Sequence, residues 1–267
     1  MKLVLAQLAL EAGDVDDNVE RALDAIRDAA DRDADLVVLP EIFNVGYFAF
    51  DLYNRYAEPL EGPTLSRISE AAAEHGVGIL AGSIVEDLAE TESAETPADE
   101  GLANTSVFFD REGRRRAVYR KHHLFGYGSR ETELLVPGES LGLAEFEGFT
   151  LGMTTCYDLR FPELYRDLAE AGATLVAVPS AWPYPRVEHW QLLSRTRAIE
   201  NQLYVATCNG SGEFEDTTLL GRSTVIDPWG TVLAGSHDEP ALVTAEIDPE
   251  RVASVREEFP AWRDRRR

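Results

Sequence analysis

The chain has 267 residues, is 44% hydrophobic and 27% charged, and carries a formal charge of −23. That profile excludes a disordered tail and provides for a large core, while a surface so rich in carboxylates repels a phosphate backbone and excludes nucleic acid as a partner. Two cysteines, Cys156 and Cys208, are too few for a disulfide framework in a chain of this length, which points to a reducing compartment.

Short apolar runs alternate with helix-period segments, the pattern of βα units around sheets. Leu3 to Leu8 reads as a strand, Asp16 to Arg32 as an amphipathic helix with Val19, Leu23 and Ile26 inward, and Leu36 to Leu39 as a buried strand stopped by Pro40. A helix follows from Pro63 to His75, closed by Gly76, and then a strand from Gly78 to Val85. Between Glu86 and Gly101 there are seven carboxylates and no basic residue, read as a solvated acidic loop in a hairpin with no assigned function.

Strands are expected at Thr105 to Phe109, Ala117 to Tyr119, Phe149 to Thr155, Thr174 to Val178, Leu203 to Cys208, Ser223 to Ile226, Val232 to Leu233 and Leu242 to Ile247. Helices are expected at Pro162 to Ala171 and Val187 to Gln202. No Pro/Gly/Ser linker divides these elements, so residues 1–267 read as a single two-sheet α/β domain. Ala34 to Pro40 and Ala173 to Pro179 share a strand-then-proline layout, a hint of two similar halves. The terminal Arg263-Asp-Arg-Arg-Arg267 reads as a solvated tail.

The basic residues are unevenly chosen: 23 are arginine, and the only lysines are Lys2 and Lys121. An acidic, lysine-poor surface resembles that of a salt-loving protein, whose self-repulsion is screened by molar salt. The opening apolar stretch is too short for a signal peptide, and no run reaches the roughly eighteen apolar residues of a membrane span, so a cytoplasmic location without a membrane partner is expected.

Three reactive side chains follow three expected strands, where α/β proteins build their clefts: Glu41, Lys121 and Cys156. Lys121 persists in a chain that uses arginine almost everywhere else, which fits a site needing a compact ammonium rather than a broad guanidinium. A thiol such as Cys156 needs a nearby base or cation to become a nucleophile; histidine is the usual base, and of His75, His122, His123, His189 and His237 the pair next to Lys121 could supply it, so residue types alone leave a Cys-His hydrolase open.

Val37-Val-Leu-Pro-Glu41, Tyr119-Arg-Lys-His-His-Leu-Phe125 and Thr155-Cys-Tyr-Asp-Leu-Arg-Phe-Pro-Glu-Leu164 resemble, in order, the three signature blocks of the nitrilase superfamily of carbon-nitrogen hydrolases. Further matches run through His189-Trp-Gln191, Arg197 to Gln202, Cys208-Asn-Gly210 and Ser223 to Gly230. The resemblance implies a single carbon-nitrogen hydrolase domain with a four-layer αββα sandwich that pairs into an αββααββα homodimer or a larger assembly. It implies Glu41, Lys121 and Cys156 as catalytic residues, with Glu131 as supporting carboxylate, Glu133 standing close to the same position, and the Tyr157 backbone N–H as a second oxyanion donor. No metal or organic cofactor is implied.

Tyr157-Asp158 follows Cys156 where nitrilases of the superfamily carry Trp-Glu, so the resemblance leans to the amidase branch and to ω-amidases. The expected activity is hydrolysis of a small aliphatic or carboxylated amide through a thioester. A carbamoyl-amine hydrolase, a nitrilase and a non-catalytic interaction protein with a relic site remain open at this point. For substrate binding, Trp182 offers a flat wall and Arg160 and Arg186 are candidate receptors for a carboxylate, although Arg186 could equally cap or pair with the following helix near Glu188.

Overall fold

Amphipathic spacing places the first helices. In α1 (Val15–Ala30), Val19, Ala22, Ile26 and Ala29 share the buried face. A single turn, α2 (Tyr53–Tyr56), precedes α3 (Pro63–His75), which begins on Pro63 and ends where Gly76 takes a left-handed φ of 64°. The computed structural model describes residues 1–214 and 217–266. Within them follow the single turn α4 (Glu131–Leu134), α5 (Pro162–Glu170), α6 (Val187–Asn201) and α7 (Glu250–Glu258).

One sheet holds β1 (Lys2–Gln7), β2 (Leu36–Val38), β3 (Gly78–Leu80), β4 (Ile84–Asp87), β5 (Leu102–Phe109), β6 (Arg115–Arg120) and, antiparallel to β1, β15 (Ala241–Glu246). The other holds β7 (Gly142–Phe146), β8 (Phe149–Met153), β9 (Leu175–Ser180), β10 (Tyr204–Asn209), β13 (Thr224–Ile226) and β14 (Val232–Gly235). A separate hairpin pairs β11 (Ser211–Phe214) with β12 (Thr217–Leu220). Each large sheet has a parallel trio at its centre, β1-β2-β3 in one and β8-β9-β10 in the other. The proline-ended segments noted above are the middle strands of these trios, β2 and β9.

Alternation along the strands divides the core into layers. Leu3, Leu5, Leu36 and Val38 of the first sheet pack against Leu151, Met153, Leu175 and Ala177 of the second. The opposite faces meet helices: Val4, Val37 and Ile79 lie against the apolar stripes of α1 and α3, and Val176, Val178 and Val205 against α5 and α6. The result is the expected αββα order.

Several details depart from the sequence reading, the hairpin of β11 and β12 among them. The expected strand Gly78 to Val85 is broken into β3 and β4, both paired with β5, because the chain crosses close over Pro40 at Gly82. A Cβ there would lie 1.9 Å from the Pro40 carbonyl oxygen, and φ is 46°, so only glycine fits. Glu86, assigned above to a solvated acidic stretch, is fully buried on β4 and paired with Arg120. The strand β7 and the helix α7 were not anticipated. Finally, Arg265 is no free tail residue: its guanidinium lies 3.7 Å from the Trp262 ring centroid and pairs with Glu170 at 2.9 Å, while Arg267 lies outside the described residues. Among the described residues, no helix is long and apolar enough to cross a membrane.

Candidate active site

Three strand ends deliver the predicted trio to one place. Glu41 lies just beyond β2, Lys121 directly after β6 and Cys156 just beyond β8. Glu41 and Lys121 are almost completely buried, and Cys156 is 8% exposed. The Glu41 position is fixed by backbone bonds on both sides: its N–H donates to the Ser180 carbonyl at 3.4 Å, and the N–H of Ile42 donates to Ser83 Oγ at 2.9 Å. Cys156 opens a short 3-10 turn, Cys156–Arg160, with φ at 47°. A non-glycine residue held in the left-handed region costs about 1–3 kcal/mol and persists only where its surroundings over-determine it.

The polar groups interlock. Lys121 Nζ donates to Glu41 Oε1 at 2.9 Å and to both oxygens of Glu131 at 2.8 and 2.9 Å. Asn104 Nδ2 reaches the same two carboxylates at 2.9 and 3.1 Å. Glu41 Oε2 accepts the Ala181 N–H at 2.9 Å, and that N–H and the Glu41 carboxyl both face the Cys156 sulfur. Glu131 Oε2 also accepts the Phe125 N–H at 2.7 Å and the Tyr47 hydroxyl at 3.2 Å. Of the two candidate carboxylates it is Glu131 that meets Lys121; Glu133 is exposed and reaches Arg130 at 3.6 Å instead.

The electrostatics follow from one ammonium shared between two buried carboxylates. Burial raises the Glu41 carboxyl above its ordinary value of 4.5; Lys121 opposes the rise and Glu131 adds to it. Burial alone would lower the Lys121 ammonium, yet Glu131 and Glu41 together hold it well above its usual range, so it stays charged. Burial and then Glu41 push the Cys156 thiol well up, against the pull of Lys121. The resting group is thus a thiol beside an unusually basic carboxyl, an arrangement that can pass a proton from sulfur to Glu41 as sulfur attacks. Neither histidine supplies that base: His122 Nε2 lies 3.2 Å from the Ser140 carbonyl, and His123 Nδ1 lies 2.8 Å from Asp158.

Beside the sulfur lies a narrow pocket whose walls are largely aromatic, among them Tyr47, Phe125, Tyr157 and Trp182. Arg160 and Arg186 both line it. The Arg160 guanidinium lies over Trp182 at 4.8 Å and Tyr157 at 5.8 Å; burial lowers its pKa, and Arg186 contributes in the same direction. Arg186 lies over Phe125 at 5.6 Å, and its carbonyl accepts the Trp182 indole N–H at 3.2 Å. It precedes α6 without a side-chain cap bond, and no ion pair joins it to Glu188. Among the described residues, neither arginine is paired with a carboxylate.

Sequence reasoning missed Asn104, Tyr47 and Asp158. Asn104 carried a usable signal, a lone amide within the strand Leu102–Phe109, every residue of which is buried. Tyr47 acts through a partner far away in sequence, which no local pattern discloses, whereas Asp158 also caps its own turn through Thr155, a Thr-x-x-Asp spacing that the sequence displays.

Residues 2–257 match the family model for carbon-nitrogen hydrolases. The chain is 36% identical over 256 residues to a 2-oxoglutaramate amidase of Paenarthrobacter nicotinovorans, an alignment covering 94% of this chain and 84% of the relative. Its structure is similar to that of Saccharomyces cerevisiae Nit3, a member of branch 10 of the nitrilase superfamily, with a TM-score of 0.89 and 32% identity over 100% of this chain and 97% of that one. It is also similar, at a TM-score of 0.82 and 27% identity over 97% of this chain and 98% of the other, to a mutant amidase from Nesterenkonia sp. AN1 carrying the Michael addition product of acrylamide on its active site cysteine. With its strand-end Glu, Lys and Cys gathered in one αββα sandwich, the chain belongs to the carbon-nitrogen hydrolase family.

Proposed function

We propose that the protein hydrolyses a small carboxylated amide to acid and ammonia through a thioester on Cys156, with Glu41 as base and acid and Lys121 as oxyanion partner. The observation that carries this reading is the single buried ammonium 2.9 Å from a carboxyl that itself faces the thiol. Glu41 takes the thiol proton while sulfur attacks the carbonyl carbon, and the negative charge that moves to the carbonyl oxygen meets Lys121 and the Tyr157 N–H. Glu41 returns the proton to the amide nitrogen, the C–N bond breaks and ammonia leaves. Water, deprotonated by Glu41, then attacks the thioester; the acid departs and the thiol is restored. Glu131 keeps Lys121 in place throughout.

The carboxylate preference rests on Arg160 and Arg186, two guanidiniums lacking a protein carboxylate partner in an apolar pocket with Trp182 as its wall. The relative's activity towards 2-oxoglutaramate fits the same preference. The test is ammonia release from a panel of amides by the wild type and by Cys156→Ala. Release from carboxylated amides, lost in the variant, is expected; an unimpaired variant would refute the mechanism. Arg186→Ala should raise KM for 2-oxoglutaramate by about tenfold or more while sparing butyramide, as the loss of one charged hydrogen-bonding partner does. Equal losses on both would assign Arg186 to structure.

The partner read for the chain, besides its substrate, is a second copy of itself. Leu192 and Ile199, seven residues apart on α6, are 66% and 51% exposed, and the rings of Trp229 and Phe259, 5.7 Å apart, are exposed as well; such uncovered apolar side chains support a homodimer. Light scattering in solution tests it, a monomeric mass being the contrary result. A cytoplasmic, salt-adapted setting completes this reading.

A further inference from the structure

Asp158, two residues beyond the thiol, is fully buried, and four donors converge on its carboxyl. Oδ2 accepts the Thr155 N–H at 2.9 Å and the Tyr119 hydroxyl at 2.6 Å, and Oδ1 accepts the His123 N–H at 2.9 Å and faces His123 Nδ1 at 2.8 Å. Because a carboxylate only accepts, Nδ1 is the protonated ring nitrogen. Tyr119 remains a donor as well, since burial and then Asp158 push its phenol well up. The His123 ring is stacked flat on Phe161, 3.7 Å between centroids and 7° between planes, so it is held from two sides.

The placement of these bonds gives them their meaning. Residues 119–125 carry Lys121, and residues 155–161 carry the turn that holds Cys156 at positive φ. Among the described residues, every hydrogen bond joining these two segments ends on Asp158. The Lys121 backbone is fixed to Asn104 and Gly138, its N–H donating to the Asn104 carbonyl and its own carbonyl accepting the Gly138 N–H, while its ammonium is held by Glu41 and Glu131. Among direct hydrogen bonds between the two segments, the setting of the sulfur's turn against the lysine's segment therefore rests on one carboxyl, and attack is sensitive to small displacements of the reacting groups.

We propose that Asp158 and His123 form a brace that locks the strained Cys156 turn against the Lys121 segment, making both of them positioning residues for nucleophilic attack. Neither needs to touch the substrate. The inference rests on Cys156 being the nucleophile of the proposed amide hydrolysis and deepens that reading.

The test uses His123, whose removal leaves the buried carboxyl with three other donors. His123→Phe keeps an aromatic ring against Phe161 and deletes the Nδ1 donor, whereas His123→Asn restores an N–H close to the Nδ1 position. Three quantities are measured well below the melting transition: kcat and KM on 2-oxoglutaramate, and the rate at which iodoacetamide alkylates Cys156, followed by peptide mass mapping. The mapping separates Cys156 from Cys208, whose sulfur is buried against the carbonyls of Ala6 and Val38. His123→Phe is expected to lower kcat and the alkylation rate by about tenfold, the scale of one lost hydrogen bond to a charged group, with KM nearly unchanged, and His123→Asn to recover most of the loss. Wild-type rates in His123→Phe, equal losses in both variants, or a change confined to KM would each overturn the brace. Should the wild type release ammonia from no amide, the amide reading fails, and the alkylation rates still decide whether the brace exists.

Discussion

Arg120 and Lys121 are consecutive, both are paired with buried carboxylates, and they do opposite things. Arg120 places Nε and Nη2 on the two oxygens of Glu86 at 2.7 Å each, and Thr105 and Thr91 hydroxyls complete the same carboxylate at 2.6 and 2.9 Å. One cation meets one anion in matched fork geometry, so the cluster is neutral and its acceptors are occupied. Lys121, on the other side of the chain, faces two carboxylates with a single compact charge and has a thiol beside them. Burial, with the surplus anion adding to it, leaves Glu41 raised and ready to take a proton. A closed pair fastens the sheet; in the proposed mechanism, a pair with one carboxylate too many supplies the base.

The contrast breaks most sharply on exchanging the two cations. Lys121→Arg should fall about a hundredfold or more in kcat, nearly as far as Lys121→Ala, because a broad guanidinium cannot occupy the ammonium position and one oxyanion partner is lost. Arg120→Lys should leave kcat per folded molecule close to wild type. Steady-state rates on one amide decide it, and a Lys121→Arg enzyme within tenfold of wild type, roughly 1.4 kcal/mol of barrier, would erase the distinction.

On the structural side, Glu86→Gln leaves a guanidinium with little solvent access and no anion, and should cost on the order of 3 kcal/mol, read as a lower melting temperature with the catalytic rate of the folded fraction retained. A loss of kcat without loss of stability would instead place Glu86 in the reaction.

The raised Glu41 gives the comparison a pH signature. As the base must be ionised, the acid limb of kcat/KM should lie above the ordinary glutamate value of 4.5. The same raised value means that the folded state holds this proton longer than the unfolded chain does. Its stabilising contribution is fully present below about pH 4.5 and is lost as pH rises through the folded-state value. Activity should therefore rise across the window in which this contribution to stability falls. Glu131→Gln removes one of the groups that raise Glu41 and should move the acid limb to lower pH; a limb that stays put or moves up contradicts the assignment.

The arrangement of elements around Lys121 was legible in the sequence, while the closed pair beside it was not. The strand end, the rare lysine and the family blocks singled out Glu41, Lys121 and Cys156, which the fold brings together. Glu86 sat in an acidic stretch that looked solvated, and only Arg120, 34 residues on and folded against it, takes it out of water. The strand β7 is five residues joined to β8 by a two-residue turn, too brief for its alternation to stand out. In α7 just Val252 and Val255 are buried among charged neighbours, too sparse a stripe for a periodic signal. Gly82, which splits the expected third strand, does so for a reason in space, the carbonyl of Pro40.

The smallest effect concerns the surface common to both regions. With a charge of −23, melting temperature should rise from low to molar KCl as the Debye length shrinks to about 3 Å at 1 M. A flat or falling trend removes the salt-adapted reading and leaves the site untouched.

The central claim, that the surplus carboxylate activates Cys156 to form a thioester, is tested most directly by acid-quenching the enzyme during turnover of 2-oxoglutaramate and measuring intact and peptide masses. The account predicts an acyl adduct on the peptide containing Cys156, absent in Cys156→Ala and strongly reduced in Glu41→Gln. Ammonia released at the wild-type rate by Cys156→Ala, or an adduct on any other residue, would contradict it.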